Sequence, residues 1–265
     1  MAISAVSPVA LFERRSPGIV VVTLNRPEAR NALNSALIDR LHDLFSALSE
    51  DRDLRVVIVT GAGGHAFSAG ADLRERQKLS PEQRILHTES INGLAEAVAA
   101  FPMPVIASIN GYALAGGLEL ALACDIRVAA DDAVLGLPEV KIGIFPGAGG
   151  LVRLPRLVGP SVAKDLIFTG RHVPAEEAFE FGLIDRIVAA DETMATSIHL
   201  AEMIAQNAPL AVRAAKQALW ESEGLPERSA HRIVQRRRRS LDTTRDYSEG
   251  LAAFTERRVP RFTGK

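Results

Sequence analysis

From the first strand to about Val188, short β-branched runs alternate with segments of helical period, and no other feature constrains the fold as strongly. Val9 to Arg14 and Gly18 to Leu24 read as strands joined by a Ser16-Pro17-Gly18 turn. From Asn31 to Glu50, apolar residues recur at Leu33, Leu37, Leu41, Leu44, Phe45 and Leu48, the pattern of an amphipathic helix. Leu54 to Thr60 is a short, largely apolar run rich in β-branched residues, as in a buried strand. Pro81 to Phe101 is helical and Pro104 to Asn110 is a strand. Gly116 to Cys124 is a short helix, followed by a strand at Asp125 to Ala130. Ser161 is placed to cap a helix running to Phe168, and Pro174 to open one that Gly182 closes. This alternation predicts an α/β domain with largely parallel pairing.

Beyond Asp191 the pattern turns almost purely helical, as in Ala208 to Glu223 and Arg245 to Arg258. The expected division is therefore an α/β core over 1–190 and a helical region over 191–265. These later helices carry apolar faces and have no sheet of their own to cover. They are expected to pack on the core or on another subunit.

Composition excludes several function classes. With 31 basic and 32 acidic residues the charge is balanced, which argues against a polyanion or a membrane surface as partner. The run Arg236 to Arg239 fits a solvated or intersubunit helix face better than a nucleic-acid site. Cys124 is the sole cysteine, in an apolar helical segment, and is expected in the core of a protein from a reducing compartment. Met1 to Pro8 lacks the pattern of a signal peptide, Phe262 to Lys265 is no organellar address, and no stretch is apolar enough to span a bilayer. A cytoplasmic location is the expectation. The histidines show no H-x-x-x-H pair and no G-x-S-x-G is present, so neither a metal nor a serine nucleophile is expected.

What remains is a set of glycine turns and two carboxylates. Phe67-Ser-Ala-Gly-Ala-Asp-Leu73 is small enough for its backbone to approach a ligand, and Asp72 can cap a helix from Leu73 to Lys78. Taken alone it also reads as a plain strand-to-helix turn. Gly116 and Gly117 open a helix, so the Gly116 N–H lacks an intrahelical acceptor, and Glu119 follows about one turn along the same face. That glutamate could handle a proton beside an oxyanion, or simply complement the helix terminus. Glu139, after Pro138, could equally be a surface carboxylate. Gly143 to Gly150 invites a phosphate-loop reading but lacks the Lys-Ser/Thr ending, so a tight turn into a helix at Leu151 is preferred.

Read in order, these segments closely resemble the crotonase (enoyl-CoA hydratase/isomerase) superfamily. The matching stretches are Leu24-Asn-Arg-Pro27, Asn31-Ala-Leu33, Phe67 to Asp72, Pro104 to Gly111, Gly116 to Asp125, Gly136-Leu-Pro-Glu139, Pro146 to Gly150 and Glu249 to Phe254. The resemblance covers essentially the whole chain and is nearest to enoyl-CoA and methylglutaconyl-CoA hydratases. It implies a spiral of ββα units followed by a C-terminal helical trimerisation region, assembled as a homotrimer or dimer of trimers. It also implies an acyl-CoA substrate and no separate cofactor, since coenzyme A is part of the substrate. The thioester oxygen would accept hydrogen bonds from the Ala71 and Gly116 N–H groups. Ala69, Gly70, Ala71, Asp72, Leu73, Arg74 and Gly116 would contact the CoA. Glu119 would activate water for attack at Cβ, and Glu139 would supply the proton to Cα. That is hydration of 2-enoyl-CoA. The alternatives are 3-methylglutaconyl-CoA hydration, Δ3-Δ2 isomerisation with a single carboxylate, or acyl-CoA or RNA binding without turnover. RNA binding is disfavoured by Asp39, Asp43, Glu50, Asp51 and Asp53 around the first helix.

Two departures from the family pattern stand out. Ala115 replaces a glycine, which is harmless only if its φ is negative. Leu151-Val152 replaces the more usual Thr-Gln before Arg153.

Overall fold

A computed structural model describes residues 8–265; the N-terminal segment read above for a signal peptide lies, up to Ser7, outside the described residues. The expected hairpin forms from β1 (Ala10–Ser16) and β2 (Ile19–Leu24), paired antiparallel across a turn containing Gly18. Helix α1 (Ser35–Ser49) starts later than its period predicts. Asn31 is fully buried with φ +53, and its side-chain amide donates to the carbonyls of Ala66 (2.7 Å) and Ala62 (3.0 Å). A residue held this way cannot join a helix, so Asn34 becomes the cap, accepting from the Leu37 N–H.

The chain then repeats one unit: a strand, a short second strand, and a helix. The first unit is β3 (Val56–Gly61), β4 (Ala66–Ser68), α2 (Leu73–Arg76) and α3 (Pro81–Ala99). The second is β5 (Val105–Ile109), β6 (Tyr112–Leu114) and α4 (Gly116–Ala123). The third is β7 (Ile126–Ala130), β8 (Val134–Gly136) and α5 (Gly150–Thr169), with a single-turn helix at Pro138–Ile142 between them. Then follow β9 (Val173–Pro174), α6 (Ala175–Glu180) and β10 (Arg186–Val188). First strands assemble into a six-stranded sheet, in the order β1-β2-β3-β5-β7-β10, parallel after the initial hairpin. Second strands assemble into a smaller sheet, β4-β6-β8-β9. Each unit thus crosses from one sheet to the other, which makes the spiral. Strands of two or three residues are too short to show a period, so β4, β6, β8 and β9 left no sequence signal.

Ser161 does not cap a helix, contrary to expectation. The run from Gly150 to Thr169 is bent at Gly159 (φ 78, ψ 161), and Pro160 takes the first-turn position that needs no N–H. Ser161 sits within the second segment.

One face of the large sheet packs on α1 and α3 through residues such as Val57, Val59, Leu37, Leu41 and Leu94. The other face, with Ile19, Val21, Val56, Ile58, Ile106 and Val128, is covered by α7 (Thr193–Ala205), whose Leu200 and Ala201 are buried against it. Each such aliphatic side chain contributes about 1.5–3 kcal/mol when fully removed from water. Helix α8 (Pro209–Ser222) is tied to the core where Lys216 Nζ donates to Met103 O (2.9 Å) and pairs with Asp125 (2.6 Å). Helix α9 (Glu227–Arg239) buries none of its residues, and in α10 (Arg245–Glu256) Phe254 is 85% exposed. Arg236 and Arg237 pair with Glu221, and Arg238 with Asp242. Among the described residues no helix is long and apolar enough to cross a membrane.

Candidate active site

The ends of the short strands carry the residues singled out from the sequence. After β4, the backbone from Ser68 to Asp72 is laid along the segment from Arg30 to Leu33. Ala69 N–H donates to Arg30 O, Leu33 N–H to Gly70 O, and Asp72 N–H to Leu33 O. This parallel bridge between Leu33 and Ala71 takes the carbonyl before Ala71 and the N–H after it, which leaves the Ala71 N–H pointing away and uncommitted. The loop is pinned again where Arg26 donates to Asp72 (2.9 Å) and to Ala32 O (2.5 Å), and where Ser68 Oγ donates to Asn31 O (2.9 Å). The Arg26 guanidinium and the capped N–H groups hold the Asp72 carboxyl below its usual range against the opposing effect of burial.

After β6, α4 begins at Gly116, whose N–H is a first-turn donor without an intrahelical acceptor. Its neighbour is glycine for a steric reason: a Cβ on Gly117 would fall 2.2 Å from Ser68 O. The helix start can therefore press against the β4 loop. A Cβ built on Gly116 would lie 3.7 Å from the Ala71 nitrogen, so the two backbone segments are neighbours on the cavity that both line. Ala115, just before, has φ +51 and ψ −131, so the condition under which an alanine there is harmless fails. Its backbone is held by the bond from Ala115 N–H to Gly136 O (2.9 Å), in a conformation that costs an L-residue of order 1–3 kcal/mol.

Glu119 and Glu139 both reach this space. A cavity of about 240 Å³ is lined by both carboxylates and by Ala69, Ala71, Leu73 and Gly116. Glu119 is 3% exposed and Glu139 7%. Glu119 Oε1 accepts from the N–H groups of Ala148 (2.6 Å) and Gly150 (2.8 Å). The glycine-rich loop does therefore bind an anion, but the anion is a carboxylate of the same chain rather than a phosphate. Burial raises the proton affinity of Glu119, opposed by those two N–H groups and by the Arg153 charge. Glu139 lies in the Pro138–Ile142 turn, and its Oε2 is buried without a hydrogen-bond partner among the described residues. Burial, reinforced by the nearby charge of Glu119, raises its carboxyl to about 7. Negative charge is thus better housed on Glu119, and the proton on Glu139.

Gly70, Asp72 and Arg74, grouped with the CoA contacts in the sequence, are not among the residues lining the cavity. Gly70 is fitted against Leu114 and Ala115, Asp72 caps α2 and pairs with Arg26, and the Arg74 N–H donates to that cap. The cavity walls include residues the sequence did not single out: Thr88 and Ile91 from α3, Leu114 from β6, and Ile142, Ile144 and Phe145 around Gly143. The one available signal was a cluster of large apolar residues beside a glycine turn, where Phe145 is 66% exposed. Cys124 is buried, its Sγ donates to Leu120 O (3.4 Å), and burial pushes its thiol up to about 12, as suits packing.

The family model described as enoyl-CoA hydratase/isomerase matches residues 14–265. The chain is 39% identical over 257 residues to the 2,3-dehydroadipyl-CoA hydratase of Escherichia coli K12, which covers 96% of this chain and 99% of that protein. It is 43% identical over 252 residues to the mouse enoyl-CoA hydratase domain-containing protein 2, mitochondrial, covering 94% and 85%. Among solved structures, an enoyl-CoA hydratase from Bacillus anthracis superposes with a TM-score of 0.96 at 42% identity, over 97% of this chain and all of the other. Two buried carboxylates on one cavity, a fold shared with a solved enoyl-CoA hydratase and a family model that matches nearly the whole chain lead to one conclusion: the chain belongs to the enoyl-CoA hydratase/isomerase family, of the crotonase superfamily.

Proposed function

We propose that the protein is an enoyl-CoA hydratase that adds water across the 2,3 double bond of 2-enoyl-CoA thioesters. The observation that carries this reading is the unequal pair of buried carboxylates on one cavity, Glu119 met by two N–H groups and Glu139 with its carboxyl raised to about 7. In the proposed cycle the thioester oxygen accepts hydrogen bonds from the Ala71 and Gly116 N–H groups. Glu119 draws a proton from water as the oxygen attacks Cβ. Electron density moves through the conjugated system onto the thioester oxygen, where each backbone donor is worth roughly 3–4 kcal/mol in the transition state. Glu139 then delivers its proton to Cα. A carboxyl raised to about 7 is suited to that donation at neutral pH.

The cycle needs no cofactor beyond the coenzyme A carried by the substrate. Ala69, Ala71 and Leu73 are proposed to line the passage of the pantetheine arm, with Arg74 at its outer end. Residues 1–190 would form the catalytic core. Residues 191–265 would provide self-association as a homotrimer or dimer of trimers, a role supported by the exposed Leu219, Trp220, Leu251 and Phe254. Light scattering on the purified chain measures that assembly, and a monomer would sink it. The cytoplasm is the proposed location, on the strength of the single buried cysteine; cell fractionation tests it. Loss of the conjugated-thioester absorbance of crotonyl-CoA tests the reaction itself, and no turnover of any short, long, branched or aromatic enoyl-CoA would refute hydration.

A further inference from the structure

Arg153 does not line the active-site cavity, yet it stands directly behind the loop that holds Glu119. Helix α5 begins at Gly150, and the side chain of Arg153, one turn in, folds back toward the helix start as long helical side chains do. Its Nη1 donates to Ala148 O at 3.1 Å. The N–H of the same residue, Ala148, donates to Glu119 Oε1 at 2.6 Å. One residue is therefore gripped from both sides, by a cation on its carbonyl and by the carboxylate on its N–H.

The next residue shows that the arrangement is built in. Gly149 has φ +99, and a Cβ there would lie 1.9 Å from Arg153 Nη1 and 2.9 Å from Cζ. The guanidinium fills the space a side chain would need. The far side of Arg153 faces a second cavity, of about 590 Å³, which Glu96 of α3 and Glu223 at the end of α8 also line. The charged groups facing Arg153 are Glu96, Glu119, Glu223 and Arg156, the last paired with Glu223 at 2.9 Å. Those facing Glu119 are Arg153 and, across the active-site cavity, Glu139. Arg76 and Lys141 also line the active-site cavity, but Arg153 is the basic side chain whose charge opposes the effect of burial on Glu119.

We propose that Arg153 is a positioning residue for the reaction. It holds the Ala148 carbonyl so that the Ala148 and Gly150 N–H groups stay aimed at Glu119, and it supplies the positive charge that faces this carboxylate. Arg153 touches no reacting atom. Its effect reaches the chemistry through the rigidity and the charge state of Glu119, so the inference rests on the hydration reading. Without the guanidinium, Glu119 keeps its proton to higher pH and its carboxylate loses alignment with the attacked carbon.

The test is steady-state kinetics on crotonyl-CoA from acid to alkaline pH, with wild type, Arg153→Gln, Arg153→Lys and Glu119→Gln, each checked for folding by circular dichroism. Arg153→Gln is expected to lower kcat roughly ten- to a hundredfold, as a misaligned catalytic group does, with KM nearly unchanged and the acid limb of the kcat profile moved to higher pH. Arg153→Lys keeps the charge and loses the planar fork, so the limb stays in place and part of kcat returns. Wild-type kcat in Arg153→Gln overturns the proposal, as does a loss of kcat with an unmoved limb. Should Arg153→Gln fail to fold, Arg153→Lys decides: wild-type kcat there removes the alignment role. A near-wild-type Glu119→Gln enzyme would instead sink the hydration reading. An inactive Glu119→Gln enzyme beside a fully active Arg153→Gln enzyme sinks only the role of Arg153.

Discussion

Glu119 and Glu139 approach one cavity from two kinds of structure. Glu119 stands in the first turn of α4 and is met by two N–H groups at the entry to α5, while Glu139 sits in a single-turn helix with one oxygen unpartnered among the described residues. Both are buried, so burial alone does not distinguish them. Hydrogen bonds do. Donors stabilise a carboxylate more than a carboxylic acid, so the group met by two N–H groups of another segment carries charge more readily than Glu139, met only by its own N–H. Division of labour between two identical side chains is written in the backbone around them, by the same route that separates acid from base in other two-carboxylate sites.

The most direct way to break this comparison is to neutralise each partner. Glu119→Gln and Glu139→Gln are each expected to lower kcat about 10²- to 10⁴-fold, the range for a lost general acid or base. If Glu119→Gln retained near-wild-type turnover, one carboxylate would suffice and isomerase chemistry would replace hydration.

A second test leaves both carboxylates in place. A methyl at position 116 meets only ordinary contacts at 3.5–3.7 Å, from Ile91, Leu33 and the Ala71 nitrogen, so Gly116→Ala should fold. The methyl would crowd the space between the two N–H groups. The expected result is a loss of about 10² in kcat/KM with both pH limbs unmoved. A moved limb would mean that the substitution reached the carboxylates.

The pH dependence sharpens the comparison further. The kcat/KM for hydration should fall as pH rises through about 7, where Glu139 loses its proton. Stability should follow the same group. Glu139 ionises at about 4.5 in the unfolded chain and about 7 in the folded one, so across that window only the unfolded state releases the proton. Its contribution to stability therefore declines as pH rises from 4.5 to 7. Glu139→Gln removes this loss: its melting temperature should exceed that of wild type at pH 8, and the gap should close by about pH 4.5. A constant gap would refute the assignment. The smallest effect is expected at Ala115→Gly, which relieves a positive φ and should stabilise the fold by roughly 1 kcal/mol in chemical denaturation.

Much of the fold was legible because its larger elements carry long periodic signals. The hairpin, α1, α3 and the parallel strands β3, β5 and β7 all lie within a few residues of their expected bounds. The smaller sheet was not legible, since Ala66–Ser68, Tyr112–Leu114 and Val134–Gly136 are shorter than any period. The start of α1 was misplaced because Asn31 answers to Ala62 and Ala66, distant in sequence. At the site, glycine spacing pointed to Ala71 and Gly116, but the apolar walls from Thr88, Ile91 and Phe145 come from separate segments. Gly143 to Gly150 looked like a failed phosphate loop because the anion it holds, on Glu119, lies far back in the chain.

By itself, then, the sequence determined what rests on local physics. Short β-branched runs form strands, spaced leucines form helices, and glycines leave N–H groups free at the start of α4. Tertiary structure alone decided which groups meet. It turned the Ala71 N–H away from Leu33, brought Ala148, Gly150 and Arg153 to Glu119, and left Glu139 Oε2 without a partner among the described residues. The proton affinity of a buried carboxyl is set by neighbours within a few ångströms, and in a spiral of ββα units those neighbours come from other turns.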